Sequence, residues 1–532
     1  MIASLPTHTP PLKERAEEKS KENENEKETK PRRRQCGPKV RSGCKTCKIR
    51  RVKCDETHPS CNRCTSTGRR CDGYYNAAEP KTISTIQRAF AHLPGTVEEK
   101  RSFSYFIQNT VPELSGYFET GFWESLIVQA STSEPSLRHA LIAIGSLHED
   151  FVAQRQMYQT KEESLAVAQY AKAIRYLRKS LALERTTPLT ALLACILFVC
   201  FDSLRGNFSA AVLHLQSGLR IIKDARICAT CSSADEKIIE QTISPLFIRI
   251  SLQAILYLDT RDTDERQAFS TEMMSIKNDD FLIPLCFERL EDARLAMEQT
   301  TEELFRMLYL CDGNVNWSAQ SLETWALQAS GARHIREWNE AFDNFMNAHG
   351  AKLDSKQLRG AVLLKIQTTT IGILARAVPN DAGDGRSVEE VANDPAAFTG
   401  RDAEFNDAEF NNVVTLSKTL ISAAELDAKM GKPSLSFSTD LGVIAPLYYV
   451  CTHCQNDSFK KHALELLARC PRREGMWDSN TTAQIVREYW VFEDKHILLQ
   501  EKAGEKKPLS EMLDLEVYDG MHWEWKWKDV TG

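Results

Sequence analysis

The sequence contains no long hydrophobic run. Its longest uninterrupted apolar stretch, Ala191–Phe201, has 11 residues, against the ~20 that cross a bilayer, so it reads as a buried helix. Residues 1–30 are rich in Lys, Glu and Asn and have no apolar centre. They resemble neither a signal peptide nor an anchor, and an intracellular chain with no membrane partner is expected. Catalytic signatures are also absent. No glycine-rich phosphate loop or G-x-S-x-G turn occurs, and Gly431-Lys432 runs straight into Pro433. His148-Glu149 begins like a zinc-protease helix, but Val152 stands where the second histidine belongs. No residue is nominated for catalysis, and an enzyme is not expected. Strand-like alternation is scarce, which points to an all-α class.

A modest total charge hides a steep asymmetry. The net is −6, yet residues 31–71 hold 13 Lys or Arg against two acids, +11. Residues 1–30 hold six against seven, which leaves −16 for residues 72–532. A basic head on an acidic body suits a nucleic-acid reader joined to a protein-facing region.

Within that head, Cys44, Cys47, Cys54, Cys61, Cys64 and Cys71 stand at C-x2-C-x6-C, a six-residue gap, then C-x2-C-x6-C again. A C-x2-C pair opening a short helix brings two thiolates to one metal, and the third cysteine closes in a turn or two later. Each half offers three sulfurs, whereas tetrahedral zinc takes four. Sharing one sulfur from each half completes two sites with six ligands, so the expected cofactor is a pair of Zn2+ ions. A disulfide framework would need an oxidising compartment, and nine further cysteines lie downstream of the array. Lys48, Arg50, Arg51 and Lys53 fill most of the space between Cys47 and Cys54. Four cations on a metal-pinned helix suit phosphate contacts and base edges in the major groove of double-stranded DNA. They argue against a purely structural zinc knot or a protein-binding module.

The six spacings, the run KIRRVKCD and Pro59 resemble the fungal binuclear zinc cluster transcription factors. The resemblance implies that Cys44 and Cys61 bridge the metals, that Arg50 and Arg51 read bases, and that Pro59 is the loop proline, often cis in that family. It also implies CGG-like targets, with arginine bonding guanine O6 and N7, and a nuclear regulator of transcription at RNA polymerase II promoters. Transcription machinery or co-regulators are further expected partners. A zinc-stapled interaction scaffold and a small-molecule-responsive regulator are the competing readings.

The chain divides in sequence into a disordered segment 1–34 that turns basic at KPRRR, a zinc cluster domain 35–75, a linker 76–100 and a helical-hairpin domain 101–532. Cys36 falls outside the ligand spacing and reads as a free thiol. Ile83, Ile86, Phe90 and Leu93 begin a heptad seam that Pro94 and Gly95 stop, short of the three or four heptads of a coiled coil. Any dimer is therefore expected through the helical region and not through a zipper. From residue 100 the apolar spacing is helical, with breaks expected at Pro112 and Pro135. Ala173, Ile174, Leu177 and Leu181 fall on one face, Leu189–Leu204 is a buried helix, and Gly206-Asn207 is a turn. LSGYFETGFWESLIVQAS, EPSLRHALIAIGSLHE, CILFVCFDSLRGNFSAAVLHLQSGLRII and CPRREGMWDS resemble the fungal-specific transcription factor domain over roughly residues 100–500. Residues 378–412 read as a solvated loop, in which DAEFN repeats at Asp402–Asn406 and Asp407–Asn411; Phe398, Phe405 and Phe410 with their acids leave an activation segment as the alternative. The Cys228/Cys231 and Cys451/Cys454 pairs lack partners for a zinc site. Trp525 and Trp527 are expected in a short edge strand or cap.

Overall fold

In the computed structural model the described residues are 43–44, 46–47, 50, 52–57, 60–69, 71, 95–118, 121–153, 165–228, 232–258, 269–273, 281–310, 322–376, 407–431, 436–469, 471–503, 513–519 and 522–527. The acidic start, Cys36, the KPRRR patch, the Ile83–Leu93 seam and the Cys228/Cys231 pairing lie outside them. The chain forms two compact units, Met1–Pro80 and Lys81–Gly532.

The first unit is built around its cysteines. Its helix α1, Asn62–Thr65, is capped by Cys61. Cys44, Cys47, Cys54, Cys61 and Cys64 are buried, with Val52 and Cys71 packed on them. A domain this small cannot bury enough apolar surface to fold on hydrophobic burial alone, so the sulfur cluster stands in for a core.

The second unit is helical: α2 Val97–Tyr105, α3 Val111–Leu114, α4 Ile127–Ser133, α5 Pro135–Val152, α6 Leu165–Ala182, α7 Pro188–Arg205, α8 Phe208–Cys228, α9 Ser244–Leu258, α10 Leu290–Leu310, α11 Leu322–His349, α12 Ser355–Arg376, α13 Asp407–Lys429, α14 Ile444–His453, α15 Asp457–Arg469 and α16 Ser479–Ala503. Pairs such as α5 with α6, α7 with α8 and α10 with α11 pack on one another. They assemble two apolar cores. One is centred on α5, α7 and α8, the other on α11, α12, α13 and α14.

Helix α7 illustrates how local sequence sets this up. Thr187 accepts the Thr190 N–H at 3.1 Å, and Pro188 opens the helix where no donor is needed. Residues 192–204 are buried all round. Gly206 then adopts φ 78°, the left-handed stop that disfavours a side chain, and α8 begins at Phe208. By length and composition Pro188–Arg205 and Ser355–Ala375 would each reach across a bilayer, but 78% of the first helix's apolar window is buried within the protein. Its apolarity is used in packing. Close approach matters elsewhere: a Cβ at Gly145 on α5 would lie 2.2 Å from the Ser102 carbonyl oxygen of α2.

A small sheet joins distant segments. β1, Phe437–Ser438, pairs in parallel with β2, Arg473–Glu474, which pairs antiparallel with β3, Trp477–Asp478. Phe437 and Met476 belong to the first core, and Trp477 packs on the second. β4, Leu513–Asp519, and β5, His522–Trp527, form an antiparallel hairpin, which places Trp525 and Trp527 in a strand.

Three local expectations are corrected. Pro112 does not break the chain, because the π-helical turn Phe106–Thr110 precedes it and Pro112 lies at the start of α3. A widened turn tolerates the missing N–H and the ring. The break at Pro135 is present, between α4 and α5. Leu181 is 50% exposed; the buried face of α6 ends near Leu177, since periodicity records a face and not the extent of its partner. The loop expected over 378–412 gives way to helix at Asp407. There the second DAEFN copy turns helical and Phe410 is fully buried near Tyr449, ring centroids 6.4 Å apart. Phe410 is core, not an activation aromatic; Phe398 and Phe405 lie outside the described residues.

Candidate metal centre and nucleic-acid interface

The six array cysteines converge. The sulfurs of Cys44, Cys47, Cys54 and Cys61 all lie within 4.8 Å of one another, and so do those of Cys44, Cys61, Cys64 and Cys71. Cys44 and Cys61 belong to both groups. Individual separations are 3.5 Å for Cys44–Cys61, 3.8 Å for Cys44–Cys64 and 3.7 Å for Cys47–Cys61. Zinc–sulfur bonds of ~2.3 Å in a tetrahedron give sulfur–sulfur edges of about 3.8 Å. The donor set and its spacing therefore fit zinc.

The halves repeat their backbone contacts. Cys47 N–H points to Cys44 Sγ at 3.3 Å, and Cys64 N–H to Cys61 Sγ at 3.3 Å. Cys44 N–H meets Cys54 Sγ at 3.4 Å, as Cys61 N–H meets Cys71 Sγ at 3.5 Å. The Glu56 backbone N–H is a further donor, 3.4 Å from Cys54 Sγ. Such N–H groups stabilise charge on sulfur. Burial works the other way, pushing the Cys44 thiol up to about 12 and raising Cys47 and Cys61 as well. A dication among the sulfurs is what would hold them as thiolates.

Sequence reasoning missed Asp55, whose carboxylate accepts the Asn62 N–H at 2.9 Å and the Arg63 N–H at 3.1 Å. It ties the end of the first half to the start of α1. The Thr57 hydroxyl also donates to it, and together these donors hold Asp55 at about 2. Its position directly after Cys54, in KCD, was the available signal.

Among the expected DNA-contacting residues, Lys53 is exposed. Arg50 is half-buried, and its Nη1 donates to Thr67 Oγ1 at 3.4 Å, linking the two halves. Arg50 N–H returns to the Thr46 carbonyl at 3.1 Å, and Val52 N–H to that of Cys47 at 3.1 Å. Lys48, Arg51 and Pro59 lie outside the described residues. Arg63 and Arg69 are exposed on the second half.

In the helical unit, His148 is fully buried, with Nδ1 2.9 Å from Thr110 Oγ1 and Nε2 3.1 Å from Glu113 Oε2. Glu113 also accepts from Ser436 Oγ at 2.7 Å and the Phe437 N–H at 3.0 Å. This is a satisfied structural network connecting α3, α5 and β1. Cys451 and Cys454 are both buried, and they join no metal-sized group among the described residues.

Comparison with known proteins matches two family models. Residues 42–81 match the fungal Zn(2)-Cys(6) binuclear cluster domain, and residues 101–259 match the fungal specific transcription factor domain. The second match covers the first part of the span over which that resemblance is legible in the sequence. The aspercryptin biosynthesis cluster-specific transcription regulator atnN of Emericella nidulans is 26% identical, over 83% of this chain and 85% of its own. The transcription regulator lscL of Purpureocillium lilacinum is 28% identical over 35% of this chain and 50% of its own. The transcriptional regulatory protein moc3 of Schizosaccharomyces pombe is 55% identical over 8% of each chain. No solved structure matches. A cysteine cluster followed by a helical domain, matched in that order by these two family models, is what the chain shares with the fungal Zn(2)-Cys(6) transcription regulators.

Proposed function

We propose that the chain is a nuclear, sequence-specific DNA-binding regulator that acts at RNA polymerase II promoters containing CGG-like triplets, without catalysing a reaction. The observation that carries this reading is the pair of sulfur foursomes sharing Cys44 and Cys61, beside a run of four cations. The foursomes would hold two zinc ions, with Cys44 and Cys61 contributing to both sets and Cys47, Cys54, Cys64 and Cys71 to one each, and the ions would pin the two halves together. Arg50 and Arg51 supply base contacts, and Lys48 and Lys53 hold phosphates. The turns that Arg50 N–H closes on Thr46 and Val52 N–H on Cys47 support a compact presentation of Arg50 to a groove. The local excess of +11 over residues 31–71 supplies a sequence-independent attraction to DNA.

The test is binding of the zinc-loaded full-length protein to duplexes that differ only in a CGG triplet. Preference for the triplet, at stated salt, is the expected result. Equal affinity for the scrambled duplex would sink sequence reading. Binding of a protein partner that survives neutralisation of the four cations would favour an interaction scaffold instead.

A further inference from the structure

A cavity of about 440 Å³ lies in the helical unit, bounded by residues from α8, α9, α10, α12, α14, β3 and α16. That volume falls within the ~300–1,000 Å³ range of small-molecule sites. Its wall draws on both cores: Phe208 and Leu252 belong to the first, Phe118 and Met297 to the second.

The charged groups in the wall balance. Arg249 lies 3.1 Å from Glu298 and 2.9 Å from Asp440, and Arg294 lies 2.8 Å from each of the same two carboxylates. These four form a closed ring with two charges of each sign. Burial alone would raise Asp440, but Arg249 and Arg294 outweigh it and hold it below the ordinary carboxylate range. Asp478 is paired with Arg473 at 2.9 Å. His453 is driven down to about 4 by burial and is neutral at physiological pH. No uncompensated charge faces the cavity from these groups, so a charged ligand would lose its hydration without gaining a counter-ion.

Hydrogen bonding in the same wall is incomplete. The Trp477 Nε1 donor, the Arg249 Nε donor and the Asp440 Oδ1 acceptor are each buried without a hydrogen-bond partner. Arg249 Nε and Asp440 Oδ1 are ion-paired at 2.9 Å but meet outside hydrogen-bonding geometry. Unsatisfied buried polar atoms are unfavourable, and here two donors and an acceptor border one apolar space.

We propose that this cavity binds a neutral, largely apolar small molecule whose polar end, a hydroxyl or an amide, both accepts and donates a hydrogen bond. Its apolar body fills the space between Leu252, Met297, Ile371 and Leu374, and its polar end meets Trp477, Arg249 and Asp440. Because the wall belongs to both cores, occupancy ties them together. The inference stands apart from the DNA-binding reading and is tested separately from it.

The probe is the neutral dye Nile red, titrated into zinc-loaded full-length protein and followed by emission. Saturable binding of one dye per chain is expected. Ile371→Trp, which puts an indole into the cavity, should weaken binding at least tenfold. Trp477→Phe removes only the N–H and the pyrrole edge, and should weaken binding about three- to tenfold. It also serves as the informative variant if Ile371→Trp fails to fold. Dodecanol should displace the dye at least tenfold better than dodecanoate. Unsaturable dye uptake, binding indifferent to Trp477→Phe, or equal displacement by dodecanoate would overturn the proposal.

Discussion

The sulfurs of Cys44 and Cys61 lie 3.5 Å apart, and each belongs to both groups of four sulfurs in the cluster. Cys47 and Cys54 belong to one group only, and Cys64 and Cys71 to the other. The consequences of substitution should differ accordingly. Cys44→Ser or Cys61→Ser should empty both sites, whereas Cys54→Ser or Cys71→Ser should first weaken one. Elemental analysis of the full-length protein should find two zinc ions per chain in the wild type and fewer than one in either bridging variant. A single zinc in the wild type would refute the shared arrangement. Chelation should unfold the first unit, since small metal domains draw most of their folding free energy from the ion.

If Arg51 reads a base and Lys53 holds a phosphate, as proposed, substitution should separate the two roles. Arg51→Ala should lower affinity for the preferred duplex by about 1–3 kcal/mol and relax preference at one base position. Lys53→Ala should weaken all sequences alike and reduce the salt slope by about one. Fluorescence anisotropy on matched and scrambled duplexes at several salt concentrations distinguishes them. If Arg51→Ala affects both duplexes equally, Arg51 holds phosphate and base reading falls to another residue.

The cluster was legible because metal coordination constrains spacing: a ligand set must recur at short fixed intervals, and this one recurs twice. Helix α7 was legible for a comparable reason, since an all-round apolar helix bounded by Thr187-Pro188 and Gly206 carries its own limits. Contacts between remote segments leave no such local mark. The ring of Arg249, Arg294, Glu298 and Asp440 gathers residues from α9, α10 and the segment after β1, none of which is near another turn of the same pattern except Arg294 and Glu298. Pro112 misled because the π turn before it has no simple sequence signature. The second DAEFN copy misled because Phe410 is drawn into a helix by the core it fills, against a composition that reads as solvated.

Arg473 gives the RREGMWD segment a physical role. Its Nη1 donates to the carbonyls of Leu204 at 2.6 Å and Ser203 at 3.3 Å, and its Nη2 to Asp478 at 2.9 Å. It thereby supplies a donor to the Leu204 carbonyl and a second one to the Ser203 carbonyl, which also accepts the Gly206 N–H at 3.0 Å, at the end of α7. Arg473→Met removes the Arg473 donors from the Leu204 carbonyl and the charge partner from the half-buried Asp478, and should destabilise the helical unit by about 3–5 kcal/mol. Arg469→Ala is the comparison, because its pair with Glu425 is largely exposed, and its effect should stay within about 1 kcal/mol. Urea midpoints followed by far-ultraviolet circular dichroism measure both. Equal midpoints for the two variants would refute the latch.

Glu99 should make part of the stability of the helical unit depend on acid. Its Oε2 accepts the Thr96 N–H at 3.0 Å while Thr96 Oγ1 accepts the Glu99 N–H at 3.2 Å, a reciprocal cap on α2. Its Oε1 accepts from Gln169 Nε2 at 2.6 Å and from Lys172 Nζ at 2.9 Å, which joins that cap to α6. Burial by itself would raise the carboxyl, but Lys172, Gln169 and the Thr96 amide outweigh it and hold Glu99 at about 2, against an ordinary 4.5. A carboxyl depressed in the folded state binds fewer protons there than in the unfolded chain. Its contribution is therefore fully present above pH 4.5 and is lost as the pH falls from 4.5 towards about 2. Glu99→Gln keeps an acceptor for the cap and removes the charge. The variant should unfold at lower urea than the wild type at neutral pH, by a gap that stays constant down to about pH 5 and then closes towards pH 2. Loss of zinc and titration of other carboxylates lower both proteins alike, so the difference between the midpoints isolates this group. A gap that persists unchanged through pH 2, or no gap at neutral pH, would show that the Glu99 charge does not hold α2 to α6.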